Sequence, residues 1–400
     1  MKPLAGHRVV DLTQNVAGPY CTQILADLGA DVIKIERPGT GDDTRQWTPR
    51  VAAGMSPTYA TLNRGKSSVA IDLDDPRGQD VLRRLLKDDD IVVHSLKPGS
   101  AERRGLGYEA LSAQRPGLIY CAISAFGNVG ALASLPGYDP LIQAYVGIMS
   151  VNGHDDMPPA RVGLSLVDMG TGLWSALGIV AAVAQRKDTG LGTRVDTSLL
   201  ETGLAWMTNP IANYSTSGNL PRRLGSATAM LAPYEAFDTA DSHVFIACGN
   251  DRLFCKLAEA IDAPGMASDP RFVTNADRVK NRDLLHDTLE RITRGRTTGE
   301  LVVRLRHAGV PVSPVQDLSQ VLCDPQVGAL ELHRPLAMTA DDGTHVDAQA
   351  VGTPIRFNGQ REFASHLSML PGQDSASVLG MAGFTDQEIT TLAGQGVIQT

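Results

Sequence analysis

The sequence predicts an α/β protein, with a large domain on a mostly parallel sheet and a smaller α+β domain. Three observations carry this. Through the first 200 residues, short β-branched runs alternate with segments of helical period. After a turn-rich stretch at 214–228 the texture changes to a hairpin followed by amphipathic helices. With 400 residues, the chain exceeds what a single hydrophobic core usually holds.

The elements follow in order. Arg8–Leu12 is a strand, 19–28 a helix with Ile24, Leu25 and Leu28 on one face, and Asp31–Glu36 a second strand after Gly29. This is a βαβ opening. Ser68–Asp72, Asp90–His94 and Leu118–Ile123 read as further strands, and Arg77–Lys87 as a helix burying Val81, Leu82, Leu85 and Leu86. A long helix is expected from about Leu164 to Gln185, ended by Gly190-Leu-Gly192, with order resuming at Arg194–Ser198 and running on through Leu199 and Leu200. Residues 233–247 read as a hairpin turning at Asp241-Ser242, and 251–262 and 281–308 as amphipathic helices. The predicted organisation is a large domain over 1–213, a linker over 214–228, a small α+β domain over 229–325, and a segment over 326–400 that returns to the large domain.

The net charge of −8 argues against a nucleic-acid surface, which needs a basic stripe. It leaves room for a local positive pocket that binds an anion. The five cysteines show no C-x-x-C spacing, so no disulfide framework or zinc site is expected, and buried free thiols fit better. None of the nine histidines forms an i, i+4 metal pair. The N-terminus lacks a signal-peptide core and no apolar run reaches 18 residues. A cytoplasmic protein without a membrane span is therefore expected.

Four loops follow strands: Gln14–Pro19, Arg37–Gly41, Asn63–Lys66 and Lys97–Gly99. Ligands of open parallel sheets collect at such carboxyl ends. Gly-containing turns beside cations suit phosphate, although each loop alone is more often an ordinary surface turn. A dinucleotide fingerprint, a P-loop and a Gly-x-Ser-x-Gly elbow are all missing, which disfavours nicotinamide, ATP and serine-hydrolase chemistry. Asp168 opens the long helix. Its plain role is a first-turn carboxylate facing the helix dipole, a role compatible with action as a nucleophile.

Taken in order, these segments resemble the class III CoA-transferases, a family that also includes acyl-CoA racemases. The resemblance rests on Val9–Leu12, Ala17–Tyr20, Leu28–Gly39, Gly41–Arg45, Asn63–Lys66, Lys97–Gly99 with Arg103 and Leu106–Tyr108, Pro136–Asp139, Gly249–Asp251, Asp269–Phe272 with Asn275, Arg278, Asn281 and Arg282, and Ala308–Pro311. It implies a Rossmann-like large domain, an interlocked homodimer, and acyl-CoA and a carboxylic acid as substrates, with no tightly bound cofactor and no metal. It also implies that Asp168 attacks the thioester, forming mixed anhydrides and an aspartyl-CoA thioester.

By the same resemblance, Val16 and Ala17 lie beside the thioester, and Arg37 and Ile71 meet the adenine end. Ser95, Leu96 and Arg103 line the nucleotide and diphosphate site, Gly137 and Tyr138 flank the pantetheine arm, and Asp139 supports the nucleophile. The sequence departs from the family's oxalate enzymes. Val16 stands where those have glutamine, and Leu224–Thr228 replaces their glycine run, so oxalate specificity is not expected. Within the wider family, Ser95 replaces a common asparagine and Asp74 a basic residue that contacts the nucleotide in some members. A 2-methylacyl-CoA racemase is the main alternative. It needs a second acid or base, and the histidine of that branch is Tyr138 here, whose phenol ordinarily titrates near pH ~10. A non-catalytic CoA-binding protein is the alternative from another class.

Overall fold

The computed structural model describes residues 1–51, 55–340 and 343–400. Contacts divide the chain into two compact units. The first comprises residues 1–148, 162–216 and 331–400, and the second 149–161 and 217–330.

In unit 1 the strands are β1 (Arg8–Leu12), β2 (Asp31–Glu36), β3 (Lys66–Ile71), β4 (Ile91–His94), β5 (Ile119–Ser124) and β6 (Arg194–Ser198). These six pair in parallel in the order 3-2-1-4-5-6, and a short C-terminal strand (Ile398–Gln399) adds antiparallel to β3. Strands this short and β-branched suit a sheet covered on both faces, and Val9, Val10, Val69, Val92 and Val93 are fully buried. The order reverses between β1 and β4. That reversal opens a crevice at the carboxyl ends of the two strands.

Two helices frame the crevice from one face. The first, Ala17–Asp27, follows β1 and ends before Gly29, whose positive φ of 98° a larger residue would resist. The second is the long helix, Leu166–Thr189. They approach closely at Gly172, where an added Cβ would stand 2.5 Å from the Ala17 carbonyl oxygen. Half of the long helix's most apolar window is buried in the protein, although by length and composition alone it could cross a membrane.

Charged side chains also enter the core, and they do so paired. Asp11 on β1 accepts from Thr13 N at 2.9 Å, Thr22 Oγ1 at 2.6 Å and Lys66 Nζ at 3.1 Å. Lys34 bonds the Thr13 carbonyl at 3.0 Å and pairs with Asp42 at 2.9 Å. Arg64 forks onto Asp27 at 2.6 and 2.8 Å, and Arg45 onto Glu36 at 2.9 and 2.8 Å.

In unit 2, β7 (Tyr234–Asp238), β8 (His243–Ala247) and β9 (Val312–Pro314) form an antiparallel sheet. Helices pack on it through Phe237, Phe254, Leu257, Leu289 and Leu301.

Several sequence expectations need correction. The helix expected over 281–308 is two, Arg282–Thr293 and Thr298–His307. Gly295 lies between them, and Thr297 and Glu300 form a capping box that starts the second. Val312–Pro314 adds a third strand, β9, beside the predicted hairpin. The order expected through Leu199 and Leu200 is a helix, Leu199–Trp206, capped by the Ser198 hydroxyl. The expected linker begins inside a helix, Thr208–Ser217. Residues 331–400 lie in unit 1, where β10 (His333–Thr339) and β11 (His345–Val351) form a hairpin. Of the five free thiols, Cys255 and Cys323 are exposed rather than buried.

Candidate active site

The crevice between β1 and β4 brings two of the predicted loops together. The Gln14 amide at the end of β1 donates to the Ser95 hydroxyl at the end of β4, at 3.2 Å. Asn15 then adopts a positive φ of 67°, and its amide reaches Asp42 Oδ1 at 3.3 Å. This turn delivers Val16 and Ala17 to the start of the first helix. Both side chains are buried, and their amides donate to no partner among the described residues. Free N–H groups at a helix start suit an oxyanion or a developing negative charge.

Opposite that turn stands the entry of the long helix. Its N-cap residue, Ser165, makes no capping bond. The Asp139 carboxylate caps the helix instead, accepting from Val167 N at 2.6 Å and Asp168 N at 3.1 Å. Asp139 is 2% exposed and begins its own short helix, Asp139–Tyr145. Its other oxygen accepts from the Gln143 amide.

Asp139 therefore takes the positive end of the helix, and the Asp168 carboxylate receives no hydrogen bond among the described residues. Burial, followed by the neighbouring Asp139 charge, pushes the Asp168 carboxyl up to about 7. A half-buried carboxylate with that basicity, without a cation or a donor, is poised to act as a nucleophile. Gly172 lies one turn further on, at its contact with Ala17. That contact brings the Val16–Ala17 turn to the same end of the long helix as Asp168.

The other predicted residues fall in several places. Gly137 packs against Ala125 after β5, where a Cβ would come within 2.8 Å of that side chain, and Tyr138 beside it is 65% exposed. Leu96 follows Ser95, and its amide donates to His94 Nδ1 at 3.2 Å. Arg103 ends the short helix Ser100–Arg103 with an exposed guanidinium and no ion pair among the described residues. Arg37 curls onto its own loop, bonding the Gly41 carbonyl and pairing with Asp43. Ile71 is buried in the large hydrophobic cluster under the sheet. The Asn63–Lys66 loop is not an anion cradle, because Arg64 is spent on Asp27 and Lys66 on Asp11. A cavity of about 380 Å³ lined by Arg77, Arg84, Phe384 and Leu392 holds arginines already paired with Asp75 and Glu388.

Residues 4–372 match CoA-transferase family III. The chain belongs to that family. The human succinyl-CoA:glutarate CoA-transferase is 33% identical over 399 residues, covering 100% of this chain and 90% of the relative. The acetyl-CoA:oxalate CoA-transferase of Acetobacter aceti is 39% identical over 328 residues, covering 82% and 84%. Among solved structures, a CAIB/BAIF family protein from Brucella suis superimposes with a TM-score of 0.85 at 36% identity, covering 95% of this chain and 99% of the other.

Three features of this CoA-transferase were not singled out in the sequence. Gln143 is fully buried beneath Asp139. His94 is held neutral by burial, which lowers its pKa to about 4, and it packs on the Tyr120 ring at a centroid distance of 5.0 Å. Asp42 braces the Asn15 turn. A sequence signal existed for Gln143 alone. It lies four residues after Asp139, on the same face of one helical turn.

Proposed function

We propose that this CoA-transferase moves coenzyme A from an acyl-CoA to a dicarboxylic acid through Asp168. The single observation that carries this is the Asp168 carboxylate, half-buried and without a hydrogen bond among the described residues, one helical turn before the Gly172 contact with Ala17. Asp168 attacks the thioester carbonyl, the C–S bond breaks, and an acyl-aspartyl anhydride and CoA thiolate result. The thiolate attacks the aspartyl carbonyl, which releases the donor acid and leaves an aspartyl-CoA thioester. The acceptor carboxylate attacks that thioester, expels thiolate, and forms a second anhydride. Thiolate then takes the acceptor's acyl group, and Asp168 is regenerated. Splitting the exchange in this way replaces one hard step by several easier ones.

Val16 and Ala17 would flank the thioester, and Gly137 and Tyr138 the pantetheine arm. Ser95, Leu96 and Arg103 would hold the nucleotide and diphosphate. For Arg37 and Ile71 the adenine role requires the backbone or a rearranged side chain, since one is paired and the other buried.

A cytoplasmic homodimer completes the proposal. On the long helix, Leu173 and Leu177 are 49% and 55% exposed, and the Thr208–Ser217 helix buries none of its residues. Apolar surface of this extent is usually covered by a partner, and a second copy fits the family. Light scattering at micromolar protein should give twice the 42.5 kDa chain mass, and a monomer contradicts it.

The donor and acceptor are tested by incubating the enzyme with succinyl-CoA and a panel of acids, glutarate, mesaconate and oxalate included, and reading new thioesters by mass spectrometry. Exchange with at least one dicarboxylate and none with oxalate is expected. Exchange confined to monocarboxylic acids contradicts the acceptor class.

A further inference from the structure

We infer that Gln143 is a positioning residue for the nucleophile, clamping the segment 162–168 by bonding simultaneously to Asp139 and to the Val162 backbone. The inference rests on the reading of Asp168 as nucleophile and adds a residue that the reaction itself does not require.

The geometry is a two-ended strut. Gln143 is 0% exposed on the helix Asp139–Tyr145. Its Nε2 donates to Asp139 Oδ1. Its Oε1 accepts from the Val162 amide at 2.8 Å. The far oxygen of Asp139 holds the amides of Val167 and Asp168. One side chain thus fixes both ends of the short connection Val162-Gly-Leu-Ser-Leu-Val-Asp168.

The middle of that connection is open. Gly163 has open space where a Cβ would stand, and Leu164 is 54% exposed. Ser165 does not cap the helix it precedes. A nucleophile must be held to within a fraction of an ångström, and a side chain locked by buried bonds can do this where a loop cannot.

Gln143 and two backbone N–H groups together fix the Asp139 carboxylate, with one donor at Oδ1 and two at Oδ2. The Asp139 charge in turn acts on Asp168. From the elements packed against this pair, the other charged group near the site is Glu201 on the Leu199–Trp206 helix, and it is exposed and bonded to the Ser198 hydroxyl. Arg186, Lys187 and Asp188 sit at the opposite end of the long helix.

The test uses two variants of the full-length enzyme. Gln143→Glu keeps an acceptor for Val162. When protonated it still donates to Asp139, and when ionised it repels Asp139. The wild type should show kcat/KM for acyl-CoA rising with pH to a plateau, and Gln143→Glu should show a bell that falls again on the alkaline side. Gln143→Met, of similar length but without either bond, should lose at least tenfold in kcat at every pH. Its affinity for free CoA, read by calorimetry, should stay within twofold. If Gln143→Glu does not fold, Gln143→Met carries the test alone.

A wild-type rate in Gln143→Met overturns the inference. So does a wild-type pH shape in folded Gln143→Glu, or a loss of CoA affinity as large as the loss of kcat, since either means that the residue only supports the fold. Activity in Asp168→Ala defeats the nucleophile reading instead. An inactive Asp168→Ala beside a Gln143→Glu of wild-type shape defeats only the present inference.

Discussion

Two carboxylates of the large unit, Asp11 on β1 and Asp168 at the start of the long helix, behave in opposite ways. Asp11 under the β1 turn is fully buried, yet its carboxyl is held well below the usual range. The desolvation that would raise it is outweighed by Lys66, Lys34 and the hydroxyls of Thr13 and Thr22. Asp168 is less buried, yet it is raised to about 7 because nothing offsets desolvation and Asp139 adds to it. Burial alone therefore does not mark a functional acid. What separates the two is compensation, since a paired carboxylate holds structure and an uncompensated one stores reactivity.

The largest expected effect sets the two against each other. Asp168→Ala should lower CoA exchange by a factor of about 10³ or more, typical of losing a covalent nucleophile, while CoA affinity holds and the denaturation midpoint does not fall. Asp11→Ala should do the reverse in kind, destabilising by ~3–5 kcal/mol because it leaves the buried Lys66 without its carboxylate partner. Lys66, whose pKa burial already lowers to about 8, can shed its proton and keep the loss toward the lower figure. Urea denaturation and an exchange assay on both variants check this. Wild-type stability in Asp11→Ala breaks the comparison.

Next comes pH. On the proposed mechanism only ionised Asp168 attacks, so kcat/KM for acyl-CoA should rise through about pH 7 and level off above it. Removing the neighbouring charge with Asp139→Asn should move that limb toward acid but not back to an ordinary aspartate value, because burial is the larger cause. A flat profile from pH 5 to 9 contradicts the raised carboxyl.

A smaller effect falls on stability. The folded-state carboxyl of Asp168 titrates above its unfolded value of 3.8, so the native state binds the extra proton between about pH 4 and 7. Stability is therefore lost as pH rises through that window, and the cost is complete above pH 7. Asp168→Asn, which has no charge to desolvate, should be more stable than wild type by ~1–3 kcal/mol at pH 8 and equal to it below pH 4. Thermal melts at the two pH values read the difference, and equal melting at pH 8 contradicts it.

Much of this was legible in the sequence. The strand–helix alternation of residues 8–124 predicts the parallel sheet, because β-branched runs and helical periods differ in spacing. Asp168 and Asp139 were both named from the ordered resemblance. What the sequence hid is where charges go. Arg64 and Lys66 read as an anion loop, and only tertiary structure shows them consumed by Asp27 and Asp11. Ile71 reads as an adenine contact, and its side chain lies buried in the hydrophobic cluster. Gln143 carries no charge and so attracted no notice, although it ties two segments that are 19 residues apart. The helix break at Gly295 was missed because the apolar period of 281–308 continues across it, while the capping box that restarts the helix is local.

The central claim, that Asp168 becomes covalently bonded to CoA, has one direct measurement. Enzyme mixed with acyl-CoA is quenched with hydroxylamine, which converts an aspartyl thioester to a hydroxamate, and is then digested and sequenced by mass spectrometry. The account predicts a hydroxamate on Asp168, dependent on acyl-CoA and absent from Asp168→Ala. A turning-over enzyme that carries no label at Asp168, or carries it on another carboxylate, would contradict it.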